Sequence, residues 1–559
     1  MKRSARQTLA RLESMLATYG ADSGRAKQHL VEQLAAAPLS NGDAVLRLHE
    51  ALCFLRAYPD DPDLLRSVEK TLGAFGQRPD LRRFRLALED TGIAGTAINY
   101  RFFWPTARWL AKRWPHLLSM DWDDWDNRAH LMELLPHALP YTETLALDEA
   151  ERTDREWIEE LRGDSGDAAF LIGRMGKLAG SEFTREKTYD LLDIPLRLKP
   201  AENTPARGQD VFPIDEVSFQ TAPLQRHRPD LSQDVLRPPV SIETLNSADG
   251  RRLVELGRRA MVTRSRDLDG FAQANSDDAR WVDCGDSLAF GLLGLRPQRR
   301  LMLESSYAAL TLKNGVPMGY VLISALYGSA AIAYNIFETF RGAEAGLVFG
   351  RVLAMARAVF GCDTFSIDPY QLGYGNAEGL ASGAWWFYYK LGFRPRSAYV
   401  KRLVRAETRA MKIDPGHRTT AETLEELASE NLYFQLGDAR DDVIGEIALG
   451  DIGVAVSRWL AENYGAERER GMRECARRAA EVLGVATEDL SPTQRLWWTR
   501  WSPIVCALEC SSWSARDRRA LTAVVLAKGG RHESDFAPLF DAHARLRKEL
   551  IELGQRAAK

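Results

Sequence analysis

The sequence predicts an α+β protein in which a mixed β-sheet module of roughly a hundred residues lies between two α-helical regions. Before about residue 196 and again after residue 412, apolar residues recur at spacings of three and four, which is typical of amphipathic helices. Between residues 307 and 340, runs of β-branched and aromatic residues are separated by the turn sequences Asn314-Gly315 and Gly328-Ser329. Strand-like and helix-like segments then alternate to about residue 404, which favours a mixed sheet over a purely parallel one.

A chain of 559 residues is too long for one hydrophobic core, so several domains are expected. We place a helical domain at residues 1–198, a linker at 199–240, a mixed-sheet domain at 241–412 and a second helical domain at 413–559. The linker is predicted because prolines interrupt any long element there. These prolines are Pro200, Pro205, Pro213, Pro223, Pro229, Pro238 and Pro239.

The near-neutral charge balance of the chain excludes a strong overall electrostatic field. The 74 Lys and Arg residues nearly cancel the 77 Asp and Glu residues, so we expect neither a nucleic-acid partner nor a membrane. The basic first residues are not followed by an apolar run of signal-peptide length, which predicts a cytoplasmic protein. Residues 314–337 are uncharged and long enough to span a bilayer, but their turn sequences favour two or three buried strands.

The distribution of cysteine and histidine argues against disulfides and metals. The six cysteines are scattered over the chain and are expected to be reduced. His130, Glu133 and His137 would share one helix face, but Pro136 interrupts that helix and a third ligand is lacking in the sequence. No metal site is therefore assigned.

Two groups of tryptophans admit two interpretations. One group lies at residues 104–125 and the other at residues 497–513. Such aromatic residues could form a stacking surface for bases or sugars. Core packing is favoured, because acidic residues accompany the first group and helical periodicity surrounds the second.

The segment from residue 307 to residue 404 carries the candidate chemistry. Three successive antiparallel strands are predicted within 307–340, followed by a small-residue loop at 341–346 and a helix at 347–360. A short strand at 364–368, a helix at 378–391 and a last strand at 398–404 complete the pattern. A loop that leads from a strand into a helix leaves backbone N–H groups free to bind a pyrophosphate.

At this point residues 300–410 resemble the GNAT-type N-acetyltransferase superfamily. The loop from Arg341 to Gly346 is similar to the pyrophosphate loop of that family, and residues 387–393, Phe-Tyr-Tyr-Lys-Leu-Gly-Phe, are similar to its Leu-Tyr-x-Lys-x-Gly-Phe signature. The order of strands and helices also matches. The resemblance implies two parallel strands that separate in a V to admit the pantetheine arm of acyl-CoA.

The resemblance also implies roles for individual residues. Acyl-CoA would be the donor, and its pyrophosphate would be held by Arg341, Gly342, Ala343, Ala345 and Gly346, with Asn376 as a possible helix cap near the site. Tyr388 matches the tyrosine that protonates the departing thiolate, although a core aromatic is an equal alternative. Glu338 is the candidate base, although an ion pair between Glu338 and Arg341 is the favoured alternative.

One departure from the family pattern bears on the cofactor. Glu344 stands where the family loop has its middle glycine, and its carboxylate would repel a pyrophosphate unless it turned away or bound a cation. The leading hypothesis is thus an acyl-CoA-dependent N-acyltransferase acting on an amine, with a protein or peptide as the candidate acceptor. The alternatives are a non-catalytic scaffold built on a degenerate GNAT-type module, and an acyl-transferring relative that does not use CoA.

Residues 430–435, Glu-Asn-Leu-Tyr-Phe-Gln, spell the recognition sequence of a potyviral protease used to remove expression tags. No affinity tag adjoins this sequence, and Leu436 follows where a small residue is usual. The apolar pattern of the preceding residues continues into it as an amphipathic helix over 421–436. A native segment is therefore favoured over an inserted cleavage site.

Overall fold

The computed structural model describes residues 4–20, 22–226 and 228–558. The chain forms a mixed α/β protein that divides into two compact units. The first comprises Met1–Leu224, Arg252–Gln273 and Lys313–Pro317, and the second comprises Gln225–Arg251, Ala274–Leu312 and Met318–Lys559. The segment predicted as a linker is divided between these units and contributes the buried side chains of Leu224, Leu231 and Val235.

The first unit is mainly helical, as predicted, but it also contains a small sheet. Its strands, β1 (Ile98–Tyr100), β2 (Leu118–Met120) and β3 (Leu196–Leu198), pair antiparallel in the order β1-β3-β2. The helices before β3 are α1 (Ala5–Met15), α2 (Ser23–Ala36), α3 (Gly42–Ala57), α4 (Pro62–Gly73), α5 (Pro79–Arg83), α6 (Trp104–Arg113), α7 (Ala129–Ala138), α8 (Thr144–Glu149), α9 (Asp154–Leu161), α10 (Asp167–Met175) and α11 (Glu182–Leu192).

Side-chain caps and a tryptophan-rich core define these helices. The Asn41 side chain accepts a hydrogen bond from the Ala44 N–H at the start of α3. The Asp61 side chain likewise accepts from the N–H groups of Asp63 and Leu64 at the start of α4. Trp104, Trp114, Trp122 and Trp125 are all buried in one apolar cluster. The core interpretation of the first tryptophan group is therefore confirmed.

The second unit is built on an eight-stranded sheet with the order β11-β10-β9-β8-β7-β6-β5-β4. Helix α12 (Leu231–Asp234) precedes its first strand. Between the first two strands the chain forms α13 (Ser247–Val262), most of which belongs to the first unit, and α14 (Asp269–Ala272), which lies wholly in the first unit. The first six strands of the sheet are β4 (Ser241–Thr244), β5 (Ala274–Asp283), β6 (Leu288–Leu295), β7 (Ser305–Lys313), β8 (Val316–Leu326) and β9 (Ser329–Ile336).

Strands β7, β8 and β9 confirm the three successive strands that the sequence predicts. Asn314 and Gly315 turn the chain between β7 and β8 with positive φ angles of 51° and 72°. Tyr327 and Gly328 do so between β8 and β9 with φ angles of 51° and 69°. The uncharged stretch at 314–337 consequently forms two strands, and none of the helices described is long and apolar enough to cross a membrane.

After β9 the chain alternates between helices and the last two strands. These elements are α15 (Ala345–Phe360), β10 (Thr364–Ile367), α16 (Pro369–Leu372), α17 (Ala377–Ser382), α18 (Ala384–Leu391), α19 (Ala398–Ile413), α20 (Ala421–Leu427) and β11 (Leu432–Gln435). Both α15 and β10 were predicted. The single helix predicted at 378–391 is instead two, because Gly383 adopts a φ of 67° and ends α17.

The strand predicted at 398–404 is wrong, since these residues begin α19. The Ser397 hydroxyl accepts a hydrogen bond from the Val400 N–H, which caps a helix. The buried residues Val400 and Val404 are four positions apart, which suits a helix face and not the alternation of a strand.

The last strand of the sheet comes later than predicted. Strand β11 pairs antiparallel with β10 from Thr364↔Gln435 to Ile367↔Leu432, so the helix predicted over 421–436 is wrong beyond Leu427. The sheet also extends past the boundary predicted at residue 412. Because Leu432 and Tyr433 are buried, the protease-like sequence is an integral part of the fold.

The end of the second unit is helical, as predicted. Its helices are α21 (Leu449–Tyr464), α22 (Arg468–Leu483), α23 (Pro492–Ala507), α24 (Ala515–Lys528), α25 (Phe536–Ala542) and α26 (Ala544–Ala557). Trp497, Trp498, Trp501 and Trp513 are buried in their apolar cluster, which confirms the core interpretation of the second group. All six cysteines are free thiols.

Candidate functional site

The candidate site lies where the pairing of two parallel strands of the large sheet ends. Strands β9 and β10 pair through Ser329↔Thr364, Ala330↔Phe365 and Ala331↔Ser366. Beyond Ala331, β9 continues to Ile336 with partners in β8 on its other side, but without further partners in β10. Strand β10 ends at Ile367, one residue after its last pair, so the outer part of β9 has no β10 partner.

Helix α15 follows the turn after β9, and a tyrosine side chain of β9 is hydrogen-bonded to its first residue. The Tyr334 hydroxyl donates a hydrogen bond to the Ala345 carbonyl oxygen at 3.1 Å. Its ring lies 5.2 Å from that of Phe349, one turn further along α15. Tyr334 is a site residue that the sequence reasoning missed, although its place in a predicted strand next to the loop could have indicated it.

The residues between β9 and α15 form a short turn, which corrects the sequence prediction at Glu338. Residues Glu338–Phe340 form one turn of 3-10 helix, because a hydrogen bond from the Phe340 N–H to the Phe337 carbonyl closes the chain there at 2.9 Å. Glu338 thus lies in an exposed turn and not at the end of a strand. Gly342 is also exposed, whereas Ala343 is buried.

Arg341 is held by a partner other than the one considered from the sequence. Its guanidinium lies 2.8 Å from the Glu378 carboxylate in the first turn of α17, and both side chains are about half exposed, at 46% and 50%. It also donates to the Ile336 carbonyl at 3.4 Å. This half-exposed ion pair therefore joins the loop after β9 to α17, the second helix after β10.

Glu344 turns toward the chain that precedes the sheet. Its carboxylate accepts a hydrogen bond from the Gln225 N–H at 3.0 Å. Further along the same segment, Pro229 packs so closely on Gly346 that a Cβ at that glycine would lie 3.0 Å from the Pro229 Cδ. We call residues 225–235 without residue 227 the strap.

Helix α12 anchors the strap along α15. Asp234 lies 3.5 Å from the Arg351 guanidinium, which also donates to the Arg237 carbonyl. A Cβ at Gly350 would lie 3.2 Å from the Asp234 Cβ. Two glycines of α15, at positions 346 and 350, are thus used for close packing of the strap.

Tyr388 lies in an aromatic cluster under α15. It is 3% exposed, and its ring meets those of Phe349 and Phe393 at centroid distances of 5.3 and 5.8 Å. Such edge-on contacts are favourable arrangements for aromatic rings. Tyr388 therefore contributes to the core, and its proximity to α15 also leaves it a candidate for the proton donor.

Asp368 is the acidic group that acts on Tyr388. It directly follows β10 and caps α16, because its carboxylate accepts a hydrogen bond from the Gln371 N–H at 3.2 Å. Burial raises the pKa of Asp368. Burial, and secondarily the negative charge of Asp368, raise the pKa of Tyr388 well above its usual value. The phenol therefore remains protonated at neutral pH.

Asn376 acts as a helix cap, in line with the possibility drawn from the sequence. Its side-chain oxygen accepts from the Gly379 N–H at 3.2 Å at the start of α17, and its amide nitrogen donates to the Tyr370 carbonyl at 2.9 Å. Both ends of the side chain are thus used to order the segment between α16 and α17. Helix α17, which follows that segment, places Glu378 beside Arg341.

No group of three or more His, Cys, Asp or Glu side chains with metal-binding geometry occurs among residues 4–20, 22–226 and 228–558. Comparison with known proteins finds no matching family model, no similar curated protein and no similar solved structure. The chemistry of the site must therefore be argued from its own residues.

Proposed function

We propose that this protein is an acyl-CoA-dependent N-acyltransferase of the GNAT type, acting on an amine of a protein or peptide. The observation that carries the proposal is that the parallel pairing of β9 and β10 ends at Ala331 and Ser366, while β9 continues to Ile336 and leads into α15. The part of β9 beyond this pairing can offer backbone N–H and C=O groups to the amides of a pantetheine arm. A helix N-terminus at the same place favours a pyrophosphate.

The reaction would form a C–N bond to the acceptor and break the C–S bond of the thioester. The attacking amine must lose a proton, and the departing thiolate must gain one. Tyr388 is the candidate for the second task, because its phenol is protonated at neutral pH; burial raises the pKa of Tyr388 and makes it a weaker acid, so the developing thiolate must lie close to the hydroxyl. Glu338, exposed in the turn after β9, is the candidate acceptor of the amine proton.

Arg341 is the candidate ligand for the pyrophosphate. Its ion pair with Glu378 is half exposed, and such a pair contributes only about 0–1 kcal/mol. A pyrophosphate carries more charge than one carboxylate and can also accept a hydrogen bond from the Gly342 N–H, whereas the Ala343 N–H already donates to the Phe340 carbonyl at 3.0 Å. Exchange of Glu378 for the ligand is therefore energetically feasible. Glu344 is directed toward Gln225, which lessens the repulsion that its charge would cause.

The strap favours a second candidate function, a non-catalytic scaffold. Pro229 packs against Gly346 at the start of α15, where a GNAT-type loop would otherwise approach a pyrophosphate. If the strap covers that position permanently, the protein would retain the sheet without the ligand. Partner binding would then be its role.

Ligand-dependent thermal stabilisation tests the two candidates. Under the acyltransferase proposal, acetyl-CoA at millimolar concentration raises the melting temperature, because a ligand that binds only the folded state stabilises it. The variant Arg341→Gln should lose most of that shift, since a charge-assisted hydrogen bond is worth about 1.5–3 kcal/mol. The matched control, Arg473→Gln on α22, should retain it.

Radiolabelled acetyl-CoA incubated with the protein and a cell extract then identifies an acceptor by the label that it gains. A wild-type protein with no thermal shift and no labelled product would support the scaffold. Native mass spectrometry adds an independent check, because a bound acyl-CoA would increase the measured mass of the folded chain.

A further inference from the structure

Helix α19 presents a continuous row of positive charges. Lys401, Arg402, Arg405, Arg409 and Lys412 are all exposed. At about 100° per residue, these five side chains fall within about 100° of the helix circumference. At 1.5 Å per residue, the row from Lys401 to Lys412 is about 16 Å long. We call these five residues the basic row.

Helix α20, which packs against α19, carries Glu422, Glu425 and Glu426, but these carboxylates do not pair with the basic row. Among the residues that the structure describes, none of the five forms an ion pair with a carboxylate. The one acidic residue of α19, Glu407, lies about 240° around the helix from Lys401. Its carboxylate is 2.9 Å from His417 Nε2 and accepts a hydrogen bond from the Thr419 hydroxyl at 2.7 Å.

A second arginine-rich helix in the same unit shows the usual arrangement. On α22, Arg470 pairs with Glu474 at 2.8 Å, and Arg477 pairs with Glu481, each one turn away. Such i,i+4 pairs lower the local field of a solvated helix. The basic row lacks them, so its field extends into solvent to a distance of about 8–10 Å.

The helix that carries the basic row is held firmly to the sheet module. Glu430 accepts hydrogen bonds at 3.1 Å from the N–H of Ser397, the residue that caps α19. Val400 and Val404 are buried on the opposite side of the helix. The basic row is therefore a preformed surface, and binding to it would require little ordering of the backbone.

We propose that the basic row binds the phosphodiester backbone of a nucleic acid without reading its sequence. A nucleic-acid strand offers a line of regularly spaced anions, and a row of Lys and Arg about 16 Å long is complementary to such a line. None of the five residues is aromatic, and the ring beside Arg402, that of Tyr399, has its hydroxyl hydrogen-bonded to Glu426, so contacts to the backbone are favoured over base recognition.

Other anionic partners fit the row less well. Protein interfaces have apolar and aromatic centres from which lysine is depleted, whereas the row is charged throughout. A helix at a membrane surface needs an exposed apolar face beside its basic one. The exposed large apolar side chains of α19 are Tyr399 and Ile413, which stand at opposite ends of the helix and form no continuous apolar face beside the row. The near-neutral balance of the whole chain, which argues against nucleic acid, does not reveal this local charge.

Fluorescence anisotropy with the full-length protein tests the proposal. The probes are a labelled 30-base-pair DNA duplex, an RNA duplex of the same length and a single-stranded RNA, each titrated between 50 and 200 mM NaCl. The triple variant Lys401→Gln, Arg405→Gln, Arg409→Gln removes three charges of the row. The triple variant Arg470→Gln, Arg473→Gln, Arg477→Gln on α22 removes the same net charge and serves as the control.

We expect the wild type to bind at least one probe at 50 mM NaCl, with an affinity that falls as salt rises. The α19 variant should bind at least about tenfold more weakly and lower the slope of log K against log salt by about 2–3, because each phosphate contact contributes about 0.7–0.9. The α22 variant should bind within about twofold of the wild type, since its arginines are paired or lie outside the row.

Three outcomes would overturn the proposal. One is the absence of binding to all three probes at 50 mM NaCl, and another is an equal loss in both triple variants. The third is binding to phosphatidylserine vesicles or to poly-glutamate without binding to nucleic acid. None of the substituted residues belongs to the acyl-transfer site, so the result does not depend on the proposed function.

Discussion

The guanidinium of Arg341 and the carboxylate of Glu378 lie 2.8 Å apart, although the two residues follow different strands of the sheet. Arg341 follows β9 and Glu378 follows β10, beyond the last pair of these two strands. The ion pair therefore joins the segments that leave the two strands. A ligand phosphate and the Glu378 carboxylate would compete for the same cation.

Removing that competition should strengthen ligand binding. In Glu378→Gln, the amide still reaches Arg341 but no longer neutralises it, so we expect the affinity for acetyl-CoA to rise about two- to fivefold, equivalent to about 0.4–1 kcal/mol. Isothermal titration calorimetry measures this change. The exposed Glu422→Gln serves as the control and should leave the affinity unchanged. A weaker affinity in Glu378→Gln would mean that Glu378 positions the ligand and does not compete with it.

Local signals predicted the central strands and the helix that follows them. Asn314-Gly315 and the β-branched runs beside it predict β7 and β8, because the positive φ angles of such a turn suit these residues. Gly361 ends α15 with a φ of 73°, as its position predicts. The sequence alone therefore predicts a strand or a helix end correctly where one strong local preference determines it.

Tertiary contacts explain what the sequence left undetermined. The residues of β11 are compatible with a helix, but pairing with β10 selects the strand. The direction of the Glu344 side chain depends on Gln225, which is more than a hundred residues earlier in the chain. The partner of Arg341 depends in the same way on the fold that brings Glu378 to it.

Close packing of the strap should reverse the usual effect of a glycine-to-alanine change in a helix. An alanine normally stabilises a helix interior by about 0.5–1 kcal/mol relative to glycine. In Gly346→Ala, the new Cβ would lie 3.0 Å from Pro229 Cδ, so we expect a loss of about 1 kcal/mol through overpacking. Denaturant unfolding measures the change.

A double-mutant cycle identifies the strap as the cause. With Pro229→Ala in the background, the ring atoms that oppose the new Cβ are absent, so Gly346→Ala should become neutral or stabilising. The coupling between the two positions should be about 1 kcal/mol or more. Gly342→Ala is the control, because a Cβ there meets no atom within 4 Å. Additive effects at positions 229 and 346 would refute the contact.

A buried carboxylate next to the β8–β9 turn should make stability depend on pH. Asp541 in α25 accepts a hydrogen bond from the Gly328 N–H at 2.9 Å, and burial raises the pKa of Asp541 to about 6, against the opposing influence of that hydrogen bond and of Arg547. In the unfolded chain, an aspartate titrates near 3.9. The folded state thus binds the proton more tightly.

The free energy of unfolding should therefore rise as the pH falls from about 6 to about 4. Asp541→Asn keeps the acceptor for Gly328 but carries no charge, so we expect it to be more stable than the wild type at pH 8 by about 1–2 kcal/mol and equally stable near pH 4. Melting temperatures across this range test the expectation. The exposed Asp438→Asn should show no such difference; a parallel pH profile in Asp541→Asn would contradict the assignment.

Tyr388 tests catalysis separately from binding. Its ring packs against Phe349 and Phe393, whereas its hydroxyl is the group that the proposed reaction uses. In Tyr388→Phe the ring contacts are retained, so the melting temperature and the affinity for acetyl-CoA should change little. Turnover should fall on the order of a hundredfold or more, because general acid catalysis contributes about 10²–10⁴-fold.

The dependence of the remaining activity on the leaving group of the acyl donor distinguishes loss of an acid from a small structural disturbance. If Tyr388 donates the proton, the loss in Tyr388→Phe should shrink for an acyl donor whose thiolate is a better leaving group, since such a thiolate needs less protonation. Tyr389→Phe is the matched control, because that ring stacks on Trp385 at 5.1 Å in the same helix. Unchanged turnover in Tyr388→Phe would make Tyr388 a core residue alone, and an equal loss in both variants would point to a general effect on the helix.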